Sequence, residues 1–309
     1  MADWGLIAIR FALYADLMLL VGLAAFPLYS LTLEERETQG PIHQFARWLR
    51  WVAPGGLVVS TFGFAALSAS MFGVGMFELD REMSVIMVTD TAVGIAWQWQ
   101  LAALLAASLA TLRVTRNPTT SLVPVALAGS VALATLVWSG HAEATEGIAG
   151  ILHRLSDSIH IIAAAVWLGA IIGFHILLTP TQKEPPASWL CLVHRALDQF
   201  AVIGTICVLL IVVTGLINGQ MIVGIANLAP AMTAPYGQLA LRKLILFAAM
   251  LILAAHNRWR LSPNLARSLE SGEEDQAVAA LKLSLWRETL AGGGILGVVA
   301  VLGMLQPFE

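Results

Sequence analysis

Charge is scarce in this sequence: 12% of its 309 residues are Asp, Glu, Lys or Arg, where an ordinary soluble domain has about a quarter. With 58% of residues hydrophobic, a conventional soluble enzyme is excluded, and none is expected. The net charge of -3 leaves no basic face for nucleic acid. Cysteine is nearly absent. Cys191 falls in a loop and Cys207 in the middle of an apolar run, so depth argues against a disulfide between them, and there is no CxxC metal motif. Also missing is a short basic start followed by a small-residue cleavage site, so the first apolar stretch reads as retained helix.

What is present is one hydrophobic run after another. A bilayer core takes about 20 apolar residues of helix. Runs of adequate length cover approximately 6–31, 52–72, 85–112, 122–139, 155–178, 200–223, 237–256 and 288–305. They predict an all-α polytopic membrane protein of eight transmembrane helices, with Pro124 in the first turn of the fourth. Loops one, three, five and seven hold Arg36, Arg47, Arg50, Arg113, Arg116, Lys183, Arg195, Arg258, Arg260, Arg267, Lys282 and Arg287. The even loops hold only Arg81, Arg154, Arg242 and Lys243. Translocation of positive charge is resisted during insertion, so the odd loops are expected in the cytoplasm and both termini outside it. The longest loops, about 32–51 and 257–287, are polar; the second carries Glu270, Glu273, Glu274 and Asp275 and reads as a solvated hairpin or helix.

A weak echo recurs at an offset of about 144 residues. Arg10 and Asp16 correspond to Arg154 and His160, and Gly94, Trp97 and Gln100 to Gly237, Ala240 and Lys243. Four helices per half would give a parallel 4+4 repeat, dividing the chain at 1–139 and 140–309.

Ionisable groups inside a bilayer are costly unless paired, which singles out Asp16, Asp90, Asp157, His160 and His175. His153, Asp157 and His160 are spaced i, i+4 and i+7 and share one stripe of the fifth helix, continued inward by Trp167 and His175. Just before it stand Ser139, Gly140, His141, Glu143 and Glu146. In the third helix Met83, Met87 and Asp90 repeat the spacing at the outer end. Thioether is a soft neutral ligand suited to copper(I), and imidazole accepts either oxidation state. Met71, Met76, Met83, Met87, Met221, Met232 and Met304, seven of the ten methionines, fall near the outer face. Their one-sidedness beside His141 and His160 points to copper. If the two stripes face each other, they frame an entrance between the third and fifth helices, closed below by Trp167 and Trp97.

Several segments resemble the copper resistance protein D family, CopD and its PcoD relatives. They are SGHA at 139–142, LSDSIHIIAAAVWLGAIIG at 155–173, TGLIN at 214–218 and APYGQLALRKLILFAAMLILAAHNRWRLSP at 234–263. The resemblance is specific over roughly 139–263 and looser elsewhere. It implies a bacterial inner-membrane protein of copper handling, moving copper from the periplasm towards the cytoplasm with a periplasmic CopC-like copper-binding partner; with the loop charges, both termini are then expected to be periplasmic. By that similarity His141, Asp157, His160, Trp167, Lys243, Asn257 and Arg258 occupy motif positions, while Gln100 stands where relatives often carry Arg. The expected metal ligands are thus His141, His153, Asp157, His160, Met83, Met87 and Asp90. An alternative is a membrane cytochrome binding haem b, with His141 and His160 at one depth and His175 and His256 at another. A third is a sensor or scaffold that binds copper without transporting it.

Overall fold

The computed structural model describes residues 4–37, 40–140, 145–179, 188–271 and 273–305. Eight helices are long and apolar enough to cross a membrane, as the hydrophobic runs predict. In chain order the elements are α1 (Trp4–Ser30), α2 (Leu33–Glu37), α3 (Pro41–Phe72), α4 (Arg81–Thr89), α5 (Ala92–Thr111), α6 (Pro118–Ala134), α7 (Gly147–Leu177), α8 (Ser188–Ile222), α9 (Leu228–Thr233), α10 (Pro235–His256), α11 (Ser262–Ser271) and α12 (Glu274–Leu302). The spans are α1, α3, α5, α6, α7, α8, α10 and α12.

Helix boundaries follow local chemistry. Proline opens α3, α6 and α10, where its missing N–H costs nothing. Pro118 rather than Pro124 takes that place in α6, so Pro124 lies inside the helix. The last turn of this span tightens into a 3-10 turn, Thr135–Ser139. Gly73 ends α3 with φ 68°, a left-handed cap that glycine adopts without steric cost. Between α10 and α11 the chain widens into a π-helical turn, Asn257–Leu261.

Two boundaries differ from the hydropathy pattern. The expected third span from 85 is two helices. The Asp80 side chain caps α4 by accepting from the Met83 N–H at 2.8 Å, and the Thr91 hydroxyl caps α5 by accepting from the Gly94 N–H at 2.9 Å. Capping groups therefore override a continuous apolar run. At the other end α12 starts at Glu274, so the polar segment before 288 is helix and carries Glu288 into the bundle.

α1 is the central post, packed against α3, α6, α7, α8 and α12. It crosses α7 at Gly22 and Gly169, where a Cβ built on Gly22 would stand 2.4 Å from the Gly169 Cα. Small residues let membrane helices approach this closely when hydrophobicity cannot drive them together. Below the crossing, Phe26 meets Phe45 and Phe174 with ring centroids 5.6 and 5.0 Å apart. The outward faces of α8 and α10 are apolar, with Val202, Ile206, Leu209, Val213, Leu244, Ile245 and Ile252 exposed. Lipid is the solvent such faces require.

Gly94 and Gly237, paired in the sequence echo, do similar work. A Cβ on Gly94 would strike the Met87 carbonyl oxygen at 1.9 Å, and one on Gly237 the Ala231 carbonyl oxygen at 2.0 Å. Each glycine thus seats a short preceding helix, α4 or α9, on the first turn of a span.

Candidate functional site

The polar stripe of α7 meets α8 and α10 inside the membrane. Asn218 Nδ2 donates to Asp157 Oδ1 at 3.0 Å, and the Ser156 hydroxyl donates to the Thr214 carbonyl at 3.3 Å. His160 Nδ1 lies 3.0 Å from Thr214 Oγ1. That hydroxyl donates to the Leu210 carbonyl, so its oxygen accepts a hydrogen bond from the imidazole N–H. With the hydroxyl hydrogen assigned to the Leu210 carbonyl, Nδ1 carries the ring hydrogen and Nε2 keeps its lone pair. Gly215 passes beside the ring, with a built Cβ 3.5 Å from Cε1. The Lys243 ammonium, from α10, is close enough to interact with both Asp157 and His160, and Tyr14 and Tyr236 also feel the Asp157 charge.

One turn outward, His153 is buried at 1% exposure, with Nδ1 2.9 Å from the Thr145 hydroxyl. Gly150 makes room for that loop, since a Cβ there would strike the Thr145 carbonyl oxygen at 1.9 Å. The end of the loop that follows SGHA is thereby seated on α7. His141 itself lies outside the described residues. Among the described residues, no three His, Cys, Asp or Glu side chains converge as a metal cage.

The methionine stripe is elsewhere. α4 packs on α3 and α5, whereas α7 packs mainly on α1, α8, α12 and α6. Met83 is half-buried, Met87 is packing material at 2% exposure, and Asp90 is an exposed cap residue accepting from the Thr89 hydroxyl at 2.7 Å. The caps that detach α4 from α5 are the reason Met83, Met87 and Asp90 do not line up with His153, Asp157 and His160. Trp97 stacks on Phe64 at 4.2 Å in the N-terminal half. Trp167 does lie beneath the histidine stripe, edge-on to Phe247 with centroids 5.9 Å apart.

Comparison with known proteins bears directly on this arrangement. Residues 1–151 match the model of the copper resistance protein D-like N-terminal domain, and residues 194–302 match that of copper resistance protein D. Copper resistance protein D of Pseudomonas syringae pv. tomato is 37% identical over 97% of this chain and 96% of its own length. The chain belongs to the copper resistance protein D family. Inner membrane protein YebZ of Escherichia coli K12 is 27% identical, over 98% of both chains. No solved structure matches. With eight apolar spans and these relatives, the copper resistance protein D fold found here is that of a multi-pass inner-membrane protein. The α7 stripe, from His153 to His175, falls between the two matched regions.

Nothing in this family assignment favours the haem alternative, and neither does the geometry. His175 Nε2 lies 3.1 Å from the Thr289 hydroxyl, which donates its own proton to the Leu285 carbonyl. Nε2 is therefore protonated and has no lone pair for iron. His256 is exposed at the end of α10.

Three features of this copper resistance protein D relative were missed by sequence reasoning. Thr214 and Asn218, i and i+4 on α8, are the groups that orient His160 and Asp157; the TGLIN motif holds both, and that spacing was the available signal. Gln100 is a buried cross-link, accepting from the Ser60 hydroxyl at 2.5 Å and donating to the Ala132 carbonyl at 3.3 Å. Glu288, 2% exposed, accepts from Asn257 Nδ2 deep in the C-terminal half.

Proposed function

We propose that this protein moves copper from the periplasm towards the cytoplasm, taking the ion at the α7 stripe, with both termini periplasmic. The observation that carries this reading is His160: a membrane-embedded imidazole held by Thr214 so that Nε2 offers a lone pair, one turn from Asp157. A soft or borderline cation is the partner such a group fits. The relative from Pseudomonas syringae is named for copper resistance, which supports copper as the cargo.

The order of events follows from the charges. With no metal bound, Lys243 supplies the positive charge that Asp157 needs. An arriving copper ion takes over that role, and the ammonium is displaced or loses its proton. His153 and, by its sequence position, His141 stand on the outer side as a relay from a periplasmic CopC-like donor. Met83 and Met87 on the separate outer helix α4 would gather copper(I) at the surface rather than share a site with His160. Weak, successive ligation of this kind lets an ion enter and also leave.

The test is copper(I) competition against a chromogenic chelator with purified protein. His160→Ala and His141→Ala should each weaken binding, while His194→Ala should not. Equal effects at all three positions would sink the assignment.

A further inference from the structure

Below Trp167 lies a chamber that the proposed copper route does not use; its lining is mostly apolar, with Asp198, Thr205, Asn257, Arg258, Ser262 and Glu288 as its polar groups. It is a cavity of about 240 Å³ between α7, α8, α10, the π-helical turn and α12. Asp198, Arg258 and Ser262 line it beside the first turns of α8 and the π turn, Asn257 and Glu288 line it at that same turn, and Trp167 and Leu251 line it further into α7 and α10. Arg258 Nη1 donates to Thr205 Oγ1 at 3.0 Å and to the Ala201 carbonyl at 3.3 Å, and the Ser262 hydroxyl donates to Asp198 Oδ1 at 3.5 Å, so the mouth is polar and braced. By the charge asymmetry of the loops this mouth faces the cytoplasm.

Beside this mouth the wall carries an unfinished hydrogen-bond network. Asn257 Nδ2 donates to Glu288 Oε1, which leaves Asn257 Oδ1 buried with no donor. One turn before Glu288, the buried Ser284 hydroxyl also has no partner. A carboxylate brings only acceptors to this group, so it cannot satisfy Asn257 Oδ1. A carboxylic acid can: its O–H is the donor the carboxamide oxygen lacks. Buried polar atoms are rarely left unpaired, and the π-helical turn that aims Asn257 here is a feature often found at functional sites.

We propose that Glu288, with Asn257, is a proton-binding site that exchanges with the cytoplasm through this vestibule. Loading places a hydrogen on the carboxyl group and pairs it with the carboxamide; release returns the hydrogen to water in the vestibule. The charged and titratable neighbours are Asp198 on α8, Arg258 on the π turn, His175 on α7 held through Thr289, and Lys282, one and a half turns earlier on α12. Trp167 and the roughly two turns of α7 above it separate this site from His160, so it is a distinct site and does not depend on copper.

Dicyclohexylcarbodiimide, an apolar reagent that adds to protonated carboxyl groups, tests this on the purified full chain without metal. The acid's O–H adds across the N=C bond of the reagent, and rearrangement leaves a stable N-acylurea that mass spectrometry locates. Glu288 should be modified at acidic pH and progressively less as pH rises, and E288Q should show no adduct on that peptide. Asn257→Leu, which removes the N–H donated to the carboxylate and leaves an apolar neighbour, should move the fall to higher pH. An unmodified Glu288 peptide at every pH, labelling indifferent to pH, or protection by sodium ions at constant pH would each overturn the proposal, the last by making the ligand sodium.

Discussion

His160 depends on Thr214 for its chemistry, because a hydroxyl that donates to Leu210 can only accept from imidazole. Thr214→Val keeps the shape but frees the ring to change tautomer. Loss of such a supporting group commonly costs about 10–100-fold in metal affinity, and we expect a loss of that order for copper(I) at this position. Chelator competition at fixed pH checks it; an unchanged affinity would mean that the tautomer is fixed by something else. Lys243 should act oppositely. Its ammonium competes with an incoming cation for Asp157, so Lys243→Met should tighten copper binding by about tenfold, ~1.4 kcal/mol, while slowing release. Weaker binding in that variant would instead make the lysine an organising group for the carboxylate. At this scale the α7 stripe was legible, since i, i+4, i+7 spacing fixes a helical face before any fold is known. Its partners Thr214 and Asn218 were not, because they come from a helix more than fifty residues away, and threonine and asparagine are common in apolar runs.

Elements were legible as far as hydropathy governs them. Eight spans emerge from length and apolarity alone, but the end of a helix is set by single capping groups, which hydropathy averages away. Asp80 and Thr91 cut α4 from α5 and removed Asp90 from the membrane. Glu288 escaped notice for the converse reason: it sits where a polar segment meets an apolar one, so its helix seemed to begin there. Packing between elements yields its own expectation at the α1–α7 crossing. Gly22→Val places a side chain where the Gly169 backbone already is, and forced overpacking typically costs about 1–3 kcal/mol. Thermal unfolding in detergent should show that loss, with Gly297→Ala, where a Cβ meets nothing within 4 Å, as a neutral control. Outside the membrane, Arg195 on α8 binds Glu35 on α2. Partial burial alone would raise the Glu35 pKa, but bonds from Arg195 and Thr32 outweigh it and hold the carboxyl below the usual glutamate range. A depressed folded value means stabilisation that is complete at neutral pH and disappears as pH falls through it. Glu35→Gln should therefore flatten the acid limb of the stability profile and leave the alkaline side unchanged.

For the whole molecule, orientation rests on loop charge and is open to a direct experiment. With Cys191 and Cys207 replaced, single cysteines at Ser271 and Glu146 should label oppositely with an impermeant thiol reagent on intact cells. Glu146 is exposed and makes no side-chain cap bond, whereas neighbouring Gly147 has φ 66° and would be strained by any side chain. External labelling at 271 would invert the molecule and with it both proposed sites. The aromatic pair Trp167 and Phe247 stands between those sites, and seven helical residues, about 10 Å, separate His160 from Trp167. Water conducts and packed rings do not. If water reaches both sites, the voltage of the living membrane does not fall evenly over its hydrocarbon thickness; it collapses across this septum. A charge crossing there gains or loses nearly the full ~2.3 kcal/mol per 100 mV in one short step. The two rings would then act as the dielectric of a thin capacitor, and substitutions that thin or thicken them should change how steeply ion movement responds to membrane potential.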